Sequence, residues 1–215
     1  MEKSNSKLDE LTIVVGSCDK YSFLWPKFIE RFNRFWDHEI TIDKYIMTET
    51  YNVKSKEFKT LKCGDVPYTE FLKNGLKNIE EKYILWLQDD YFLVNKLNSE
   101  IIKNCYDLIK KQENIIRVGI HPNSKYYTTF KEKDSKFKKF SKNSMYSVSM
   151  QSSIWNRKKL IDFLSNSPNE SPWQFEINGS QRLNNTKHEV VFYELEEDWY
   201  QEAMKKGKKT EIYYE

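Results

Sequence analysis

The residues Tyr83 to Leu87, Tyr-Ile-Leu-Trp-Leu, form an unbroken apolar run that stops abruptly at Gln88-Asp89-Asp90. Residues with β preference and no polar alternation suit a strand covered on both faces of a sheet. The two adjacent carboxylates fall where that strand leaves the sheet. In open α/β sheets the carboxyl ends of strands are where ligands bind. Neighbouring carboxylates repel each other and desolvate poorly unless a cation or hydrogen-bond donors meet them. The pair therefore reads in two ways. It is a site for a hard divalent cation carrying phosphate oxygens, or a turn or helix N-cap, both of which Asp favours unaided.

The chain before it alternates strand and helix. Leu11 to Val15 is a β-run closed by Gly16 and followed by Ser17-Cys18-Asp19-Lys20. Tyr21, Leu24, Trp25, Phe28, Ile29, Phe32, Phe35 and Trp36 then recur at helical spacing. Pro26 fits only the first turn, so this helix is predicted to start near Ser22. The turn from Gly16 to Tyr21 has small and polar residues on which a base or ribose could rest. It is neither a GxGxxG nor a Walker loop, and an ordinary strand-to-helix turn reads the same way. Ile40 to Met47 reads as a second strand, and Thr48 to Val66 as a Lys-rich loop with a short strand. Pro67 to Ile79 reads as a second helix. Asn98 or Ser99 caps a third, with Ile101, Ile102, Cys105, Leu108 and Ile109 inward. Ile115 to Ile120 is a fourth strand. The alternation implies a mostly parallel sheet with right-handed crossovers, and there are no internal repeats.

Past His121-Pro122 the pattern changes. Lys125 to Phe130 reads as a strand. Lys131 to Asn143 holds six lysines with Phe137 and Phe140 among them, and reads as an exposed loop. Such a loop is a solvated face or a contact for anionic lipid or substrate. Tyr146 to Met150 reads as a strand, with Gln151-Ser-Ser at its end. Trp155, Leu160, Ile161, Phe163 and Leu164 read as a helix. Ser171 as N-cap and Pro172 at the first helical position open another. Val190 to Leu195 is a late strand, and the tail from Ala203 is charged. Trp155 is a sugar-stacking wall or a core plug. Trp173 and Glu176 lie one turn apart on one helical face. An indole beside Glu176 would raise its pKa toward the range of a general base. The alternative is a solvent-facing glutamate favoured by the helix dipole.

The chain's 215 residues are one domain's worth, able to bury roughly 70% of the unfolded surface. Fourteen Tyr, 13 Phe and six Trp allow a core rich in large side chains. Thirty-five basic and 32 acidic residues leave a formal charge of +3, which does not make a nucleic-acid binder and leaves room only for a local basic patch. Cys18, Cys63 and Cys105 are odd in number, widely spaced and without a CxxC, as in reduced cytosolic proteins. The first residues are polar, and no run approaches the ~20 apolar residues of a membrane span. The expectation is a cytoplasmic protein.

Three blocks together carry a resemblance to a known family. They are Thr12-Ile-Val-Val-Gly-Ser-Cys-Asp-Lys-Tyr-Ser-Phe-Leu-Trp25, Tyr83-Ile-Leu-Trp-Leu-Gln-Asp-Asp-Tyr-Phe-Leu93, and Gln151-Ser-Ser-Ile-Trp155 followed by Ser171-Pro-Trp-Gln-Phe-Glu-Ile-Asn-Gly-Ser180. In this order, over residues 10 to 200, the chain resembles the small bacterial GT-A-type glycosyltransferases of surface polysaccharide (capsule, O-antigen, lipopolysaccharide) clusters. The resemblance implies a Rossmann-like, mostly parallel central sheet flanked by helices, with a smaller acceptor-side C-terminal part. Residues 10–120 would be the nucleotide-sugar half and 121–215 the acceptor half of one domain. It also implies a nucleoside diphosphate sugar donor, a saccharide or lipid-linked acceptor, and Mn²⁺ or Mg²⁺ on the diphosphate. Peripheral contact with the anionic inner membrane would follow from a lipid-linked acceptor.

By the same resemblance Ser17, Asp19 and Tyr21 line the nucleotide pocket, and Gln88-Asp89-Asp90 takes the place of the Asp-x-Asp motif. Asp90 is the metal ligand, and Gln88 and Asp89 face the nucleotide sugar. Glu176 is the base, with Asp89 the next candidate. Gln151, Trp155 and Trp173 shape the acceptor site, and Arg182 meets the diphosphate. Gln88 is not acidic and the carboxylates are adjacent, so a metal-independent variant in which Arg or Lys neutralises the diphosphate stays open. Two other classes also stay open: a metal-dependent nucleotidyl- or phosphotransferase using Asp89 and Asp90, and a non-catalytic nucleotide- or glycan-binding subunit.

Overall fold

Both faces of the apolar strands are covered by helices, as their composition demands. The computed structural model describes residues 8–120, 127–128, 136–140, 144–167 and 169–215. Its main sheet is built from β1 (Leu11–Gly16), β2 (Lys44–Thr48), β3 (Lys59–Lys62), β4 (Tyr83–Gln88), β6 (Ile115–Gly119), β7 (Tyr127–Thr128), β8 (Phe137–Phe140), β9 (Ser153–Asn156) and β10 (Glu189–Tyr193). The spatial order is β3-β2-β1-β4-β9-β6-β10-β8-β7. Among these strands only β8 and β9 run against the rest. The fold is mixed α/β with a large, mostly parallel central sheet.

Successive residues of the central strands point to opposite faces, and each face meets its own helices. Ile13, Val15, Leu85 and Leu87 join Phe28 and Phe32 of α1 (Trp25–Phe35) and Ile102 and Ile109 of α3 (Ser99–Lys111). Val14, Ile84 and Trp86 join Leu72 and Leu76 of α2 (Tyr68–Lys77), Leu160 and Leu164 of α4 (Arg157–Ser165), and Phe175 of α5 (Pro172–Leu183). Phe28, Phe32, Leu72 and Leu85 are fully buried, and each such side chain contributes roughly 1.5–3 kcal/mol relative to exposure. Beyond the sheet, β5 (Tyr91–Leu93) pairs with β11 (Tyr200–Glu202), β12 (Met204–Lys205) forms a hairpin with β13 (Lys208–Lys209), and α6 (Glu211–Tyr214) follows. No helix among the described residues is long and apolar enough to cross a membrane.

Several expected elements take another form. The first helix is entered through a 3₁₀ turn at Asp19–Leu24, and the α-helix begins at Trp25 with Pro26 in its first turn. Tyr146 to Met150 is not a strand. Tyr146 adopts a φ of 61°, and the Val148 and Met150 amides bond to Ser180 and Glu176 of α5 in place of a neighbouring strand. Trp155 lies in a strand, not a helix: β9 enters antiparallel between β4 and β6.

Phe137–Phe140, expected in an exposed loop, is β8, paired with β10. Its lysines are matched by carboxylates: Lys138 with Glu194, Lys139 with Glu189, and the preceding Lys136 with Glu196. Of the expected strand at 125–130 the structure describes 127–128 as β7. The rest of that strand and of the Lys131 to Asn143 segment lies outside the described residues.

Candidate active site

The sheet order reverses at β1: the chain builds β2 and β3 to one side, then crosses to place β4 on the other. Such a switch point leaves a crevice at the carboxyl ends of the two strands. Here it is a cleft of about 370 Å³, lined by Gly16 at the end of β1, Ser17, Cys18 and Tyr21 after it, Trp86 and Gln88 of β4, Asp89 and Asp90 just past that strand, and Glu49, Tyr68 and Pro172. Gly16 is required by its neighbour, because a Cβ there would lie 2.3 Å from the Trp86 ring. The absent side chain is what lets the indole reach across β1.

The two aspartates have different surroundings. Asp89 is 2% exposed. Its Oδ2 accepts from the Ser17 hydroxyl and, at 3.2 Å, from the Trp25 indole N–H, which also donates to Ser17 Oγ at 2.7 Å. Burial pushes the Asp89 carboxyl well above its usual range, although both donors oppose the shift. These ties join β4 to the turn after β1 and make Asp89 a positioning residue. The fallback role as catalytic base expected of Asp89 would fall to Oδ1, the oxygen these two donors leave.

Asp90 is met only by its own backbone N–H among the described residues, and burial raises its pKa to about 6 with Glu202 adding repulsion. Its backbone carbonyl accepts from the Ala203 and Met204 amides, at 2.8 and 3.1 Å. The strand end itself is clamped by Tyr200, whose hydroxyl accepts from the Gln88 N–H at 2.5 Å and donates to the Gln88 carbonyl at 2.8 Å.

Glu176 approaches from α5. Ser171 and Gln174 form a reciprocal capping box with Pro172 in the first turn, which fixes where the helix starts. One turn in, Glu176 Oε1 accepts from the Met150 amide at 2.7 Å and the Ser149 hydroxyl at 3.1 Å. Burial raises the Glu176 pKa, with those two donors and Arg117 opposing. The rise expected from Trp173 thus has another cause. The Trp173 side chain is 74% exposed, and Glu176 is turned toward the 149–150 backbone, not toward solvent. Asp90 and Glu176 both act electrostatically on the phenols of Tyr68 and Tyr91. Tyr68 lines the cleft and meets Phe175 of α5 edge-on at 6.4 Å, and Tyr91, next to Asp90, is stacked on Tyr200 at 5.1 Å.

Of the residues expected at the site, Ser17, Tyr21, Gln88, Asp89 and Asp90 line one cleft, Glu176 stands one turn into the helix whose Pro172 also lines it, and the Gln151 side-chain oxygen is buried without a hydrogen-bond partner among the described residues. Three others are placed elsewhere. The Asp19 carboxylate is spent on the loop after β2, accepting from the Glu49, Thr50 and Tyr51 amides and the Thr50 hydroxyl. Burial alone would raise the Asp19 pKa, but those bonds bring it below its usual range. Trp155 is 0% exposed, with Arg117 5.6 Å over its ring, so it is core and has no face for a sugar. Arg182 holds Glu170 through both guanidinium nitrogens, at 2.7 and 2.8 Å, bonds to Ser167 and lies over Phe163. The diphosphate role expected of it is therefore filled by an internal carboxylate.

Tyr68, Tyr91, Trp86, Glu49 and Tyr200 were missed. Tyr91 follows Asp90 directly, and that adjacency was the available signal. Tyr200 had none, since it lies 112 residues from Gln88.

The lining carries Glu49, Asp89 and Asp90 and, among the described residues, no Lys or Arg. No group of three or more His, Cys, Asp or Glu converges as a metal cage among those residues. Asp90 and Glu202 are close enough to repel each other, and two carboxylates are hard-oxygen donors of the kind Mg²⁺ and Mn²⁺ take together with substrate phosphates. Trp86 Nε1 and Gln88 Oε1 are buried without a hydrogen-bond partner among the described residues, leaving one donor and one acceptor on side chains that line the cleft.

No family model matches the chain, and no curated protein matches it. Among solved structures it is similar to a crystal structure of residues 1–349 of S. aureus TarS, at 10% identity and a TM-score of 0.49, over 88% of this chain and 59% of that one. A second S. aureus TarS crystal structure is 11% identical with a TM-score of 0.48, over 88% of this chain and 36% of the other. The chain thus spans about three fifths or less of the TarS chains it matches, and a likeness of this degree assigns it neither a family nor a substrate.

Proposed function

We propose that the chain is a glycosyltransferase that moves a sugar from a nucleoside diphosphate sugar to a saccharide or lipid-linked acceptor. One observation carries this reading: Asp90 at the end of β4 and Pro172 at the start of α5 line the same cleft at the β1/β4 switch point, and Glu176 stands one turn further into α5. Glycosyl transfer needs such a division. One end of the cleft must tolerate a departing diphosphate, and the other must take a proton from the attacking hydroxyl.

On this reading the nucleotide lies over Gly16 to Cys18, and its base satisfies the Trp86 N–H and the Gln88 carbonyl. The acceptor hydroxyl stands beside Glu176. With Oε1 held by Met150 and Ser149, Oε2 is the oxygen that takes the proton as the hydroxyl attacks the anomeric carbon and the bond to the diphosphate breaks. A raised pKa makes that carboxylate a better base near neutral pH. A lining whose charged side chains are all acidic repels a diphosphate. Mn²⁺ or Mg²⁺ would be held by Asp90 with Glu202 as second carboxylate, and when bound would neutralise the leaving group. With Arg182 engaged by Glu170, the metal-independent variant loses the cation first considered for it. The placing in bacterial surface polysaccharide assembly rests on the sequence resemblance alone.

Thermal shift against UDP-, GDP-, dTDP- and CMP-sugars, with and without Mn²⁺, tests the reading. A donor at a hundredfold excess over its Kd adds about 2.7 kcal/mol, a shift of several degrees. No stabilisation by any of them would overturn it. Tight binding with no turnover would favour the non-catalytic subunit, and turnover without a sugar acceptor the nucleotidyl- or phosphotransferase.

A further inference from the structure

The β12–β13 hairpin turns through Lys206 and Gly207, both at positive φ (50° and 76°). This corner suits the right-handed twist of a two-residue hairpin, and its first position is ordinarily Asn, Asp or Gly. The chain places a lysine there instead. Lys205, Lys206, Lys208 and Lys209 are all exposed around it. Lys205 meets Glu202 at 3.4 Å, whereas Lys206, Lys208 and Lys209 have no carboxylate within ion-pair reach among the described residues. The β8 lysines differ in this respect, each being matched by a carboxylate.

Aromatic rings stand beside this charge. Lys209 Nζ lies 3.9 Å from the Tyr213 ring centre and 5.6 Å from that of Phe23, and Lys27 shares Tyr213 at 5.3 Å. Phe23 and Tyr214 are 46% and 72% exposed. Cations interleaved with exposed rings suit a bilayer interface, where the charge meets headgroups and the rings enter the acyl boundary.

We infer that the Lys205–Lys209 hairpin, with Phe23, Lys27 and Tyr214, is a docking surface for an anionic phospholipid bilayer. Its position gives it a use. Met204 begins the hairpin while its amide bonds to Asp90, and Phe23 meets the cleft-lining Tyr21 edge-on at 6.0 Å. Docking through this patch brings the mouth of the cleft to the headgroup layer, within reach of a lipid-linked molecule. The inference needs no particular reaction in the cleft, and binding is read without turnover. A nucleic-acid partner fits less well, since the chain as a whole carries only +3.

Flotation of the full chain with phosphatidylcholine vesicles, with and without phosphatidylglycerol, tests this. The wild type should float only with the anionic vesicles and be released by salt. Neutralising Lys206→Gln and Lys208→Gln together should weaken partitioning roughly 25-fold, about fivefold for each lysine. Neutralising Lys136, Lys138 and Lys139 should change it little. Phe23→Ser should weaken it in a way that salt does not mimic. Melting temperatures of the variants separate lost docking from lost folding. The inference fails if the wild type ignores anionic vesicles at low salt, or if the hairpin variant floats as well as the wild type. It fails also if single-stranded DNA binds the hairpin more tightly than the vesicles do.

Discussion

Replacing Asp90 by Asn should make the protein more stable at neutral pH. Burial holds the carboxyl at about 6 against an ordinary 3.8, with Glu202 adding repulsion. Because the folded value lies above the unfolded one, the folded state binds more protons between them. Stability is therefore greatest below about pH 4 and falls as pH rises through about pH 6. A displacement from 3.8 to about 6 corresponds to about 3 kcal/mol of destabilisation above both values. Asn keeps the shape but still needs a hydrogen-bond donor, so the net gain should be about 1–3 kcal/mol. For a chain of this length that is a rise of roughly 2–12 °C in Tm. Urea unfolding across this pH range is the assay: the difference between variant and wild type should be near zero at about pH 4 and complete above about pH 7. A pH-independent difference, or a variant less stable than wild type at neutral pH, refutes the reasoning. Asp90 would then be stabilised by a partner it does not have here.

Other outcomes follow from the same geometry. Glu176→Gln should leave donor binding intact and lower turnover by roughly 10²–10⁴; near-normal turnover would make it a structural ligand of the Met150 amide. Arg182→Ala should cost about 1–3 kcal/mol by stranding Glu170 without altering donor affinity, and a loss of affinity at unchanged Tm would return Arg182 to the diphosphate. Gly16→Ala should displace the Trp86 ring, cost about 1–3 kcal/mol and change Trp fluorescence, whereas an unperturbed variant would mean the indole is free to move.

Much of the sheet was legible because its strands are local signals. Tyr83 to Leu87 announces a strand, its end and two carboxylates within ten residues. Which of the two carboxylates is tied to the turn after β1 was not legible. That depends on Ser17 and Trp25 capturing Asp89 across 72 and 64 residues of sequence. Trp155 belongs to an apolar stretch too short to separate strand from helix by period, and its antiparallel entry between β4 and β6 is a tertiary choice. Tyr146 to Met150 has a strand's composition, yet its amides serve Glu176 and Ser180 of α5. Phe137-Lys-Lys-Phe140 shows no alternation, and its strand form comes from antiparallel pairing with β10, a tertiary contact no local pattern announces. Arg182 looked available because Glu170, its partner, lies three turns of helix away on the approach to α5.

Calorimetric titration of a nucleoside diphosphate into the wild type and Asp90→Asn, each with and without Mn²⁺, asks the central question directly: does the β1/β4 cleft hold a diphosphate through a cation on Asp90? The wild type should bind one nucleotide class with Mn²⁺ and lose most of that affinity without it. Asp90→Asn should bind weakly and equally in both conditions. Equal, Mn²⁺-independent binding by both proteins would contradict the role of Asp90, and no binding of any nucleoside diphosphate by the folded wild type would contradict the site itself.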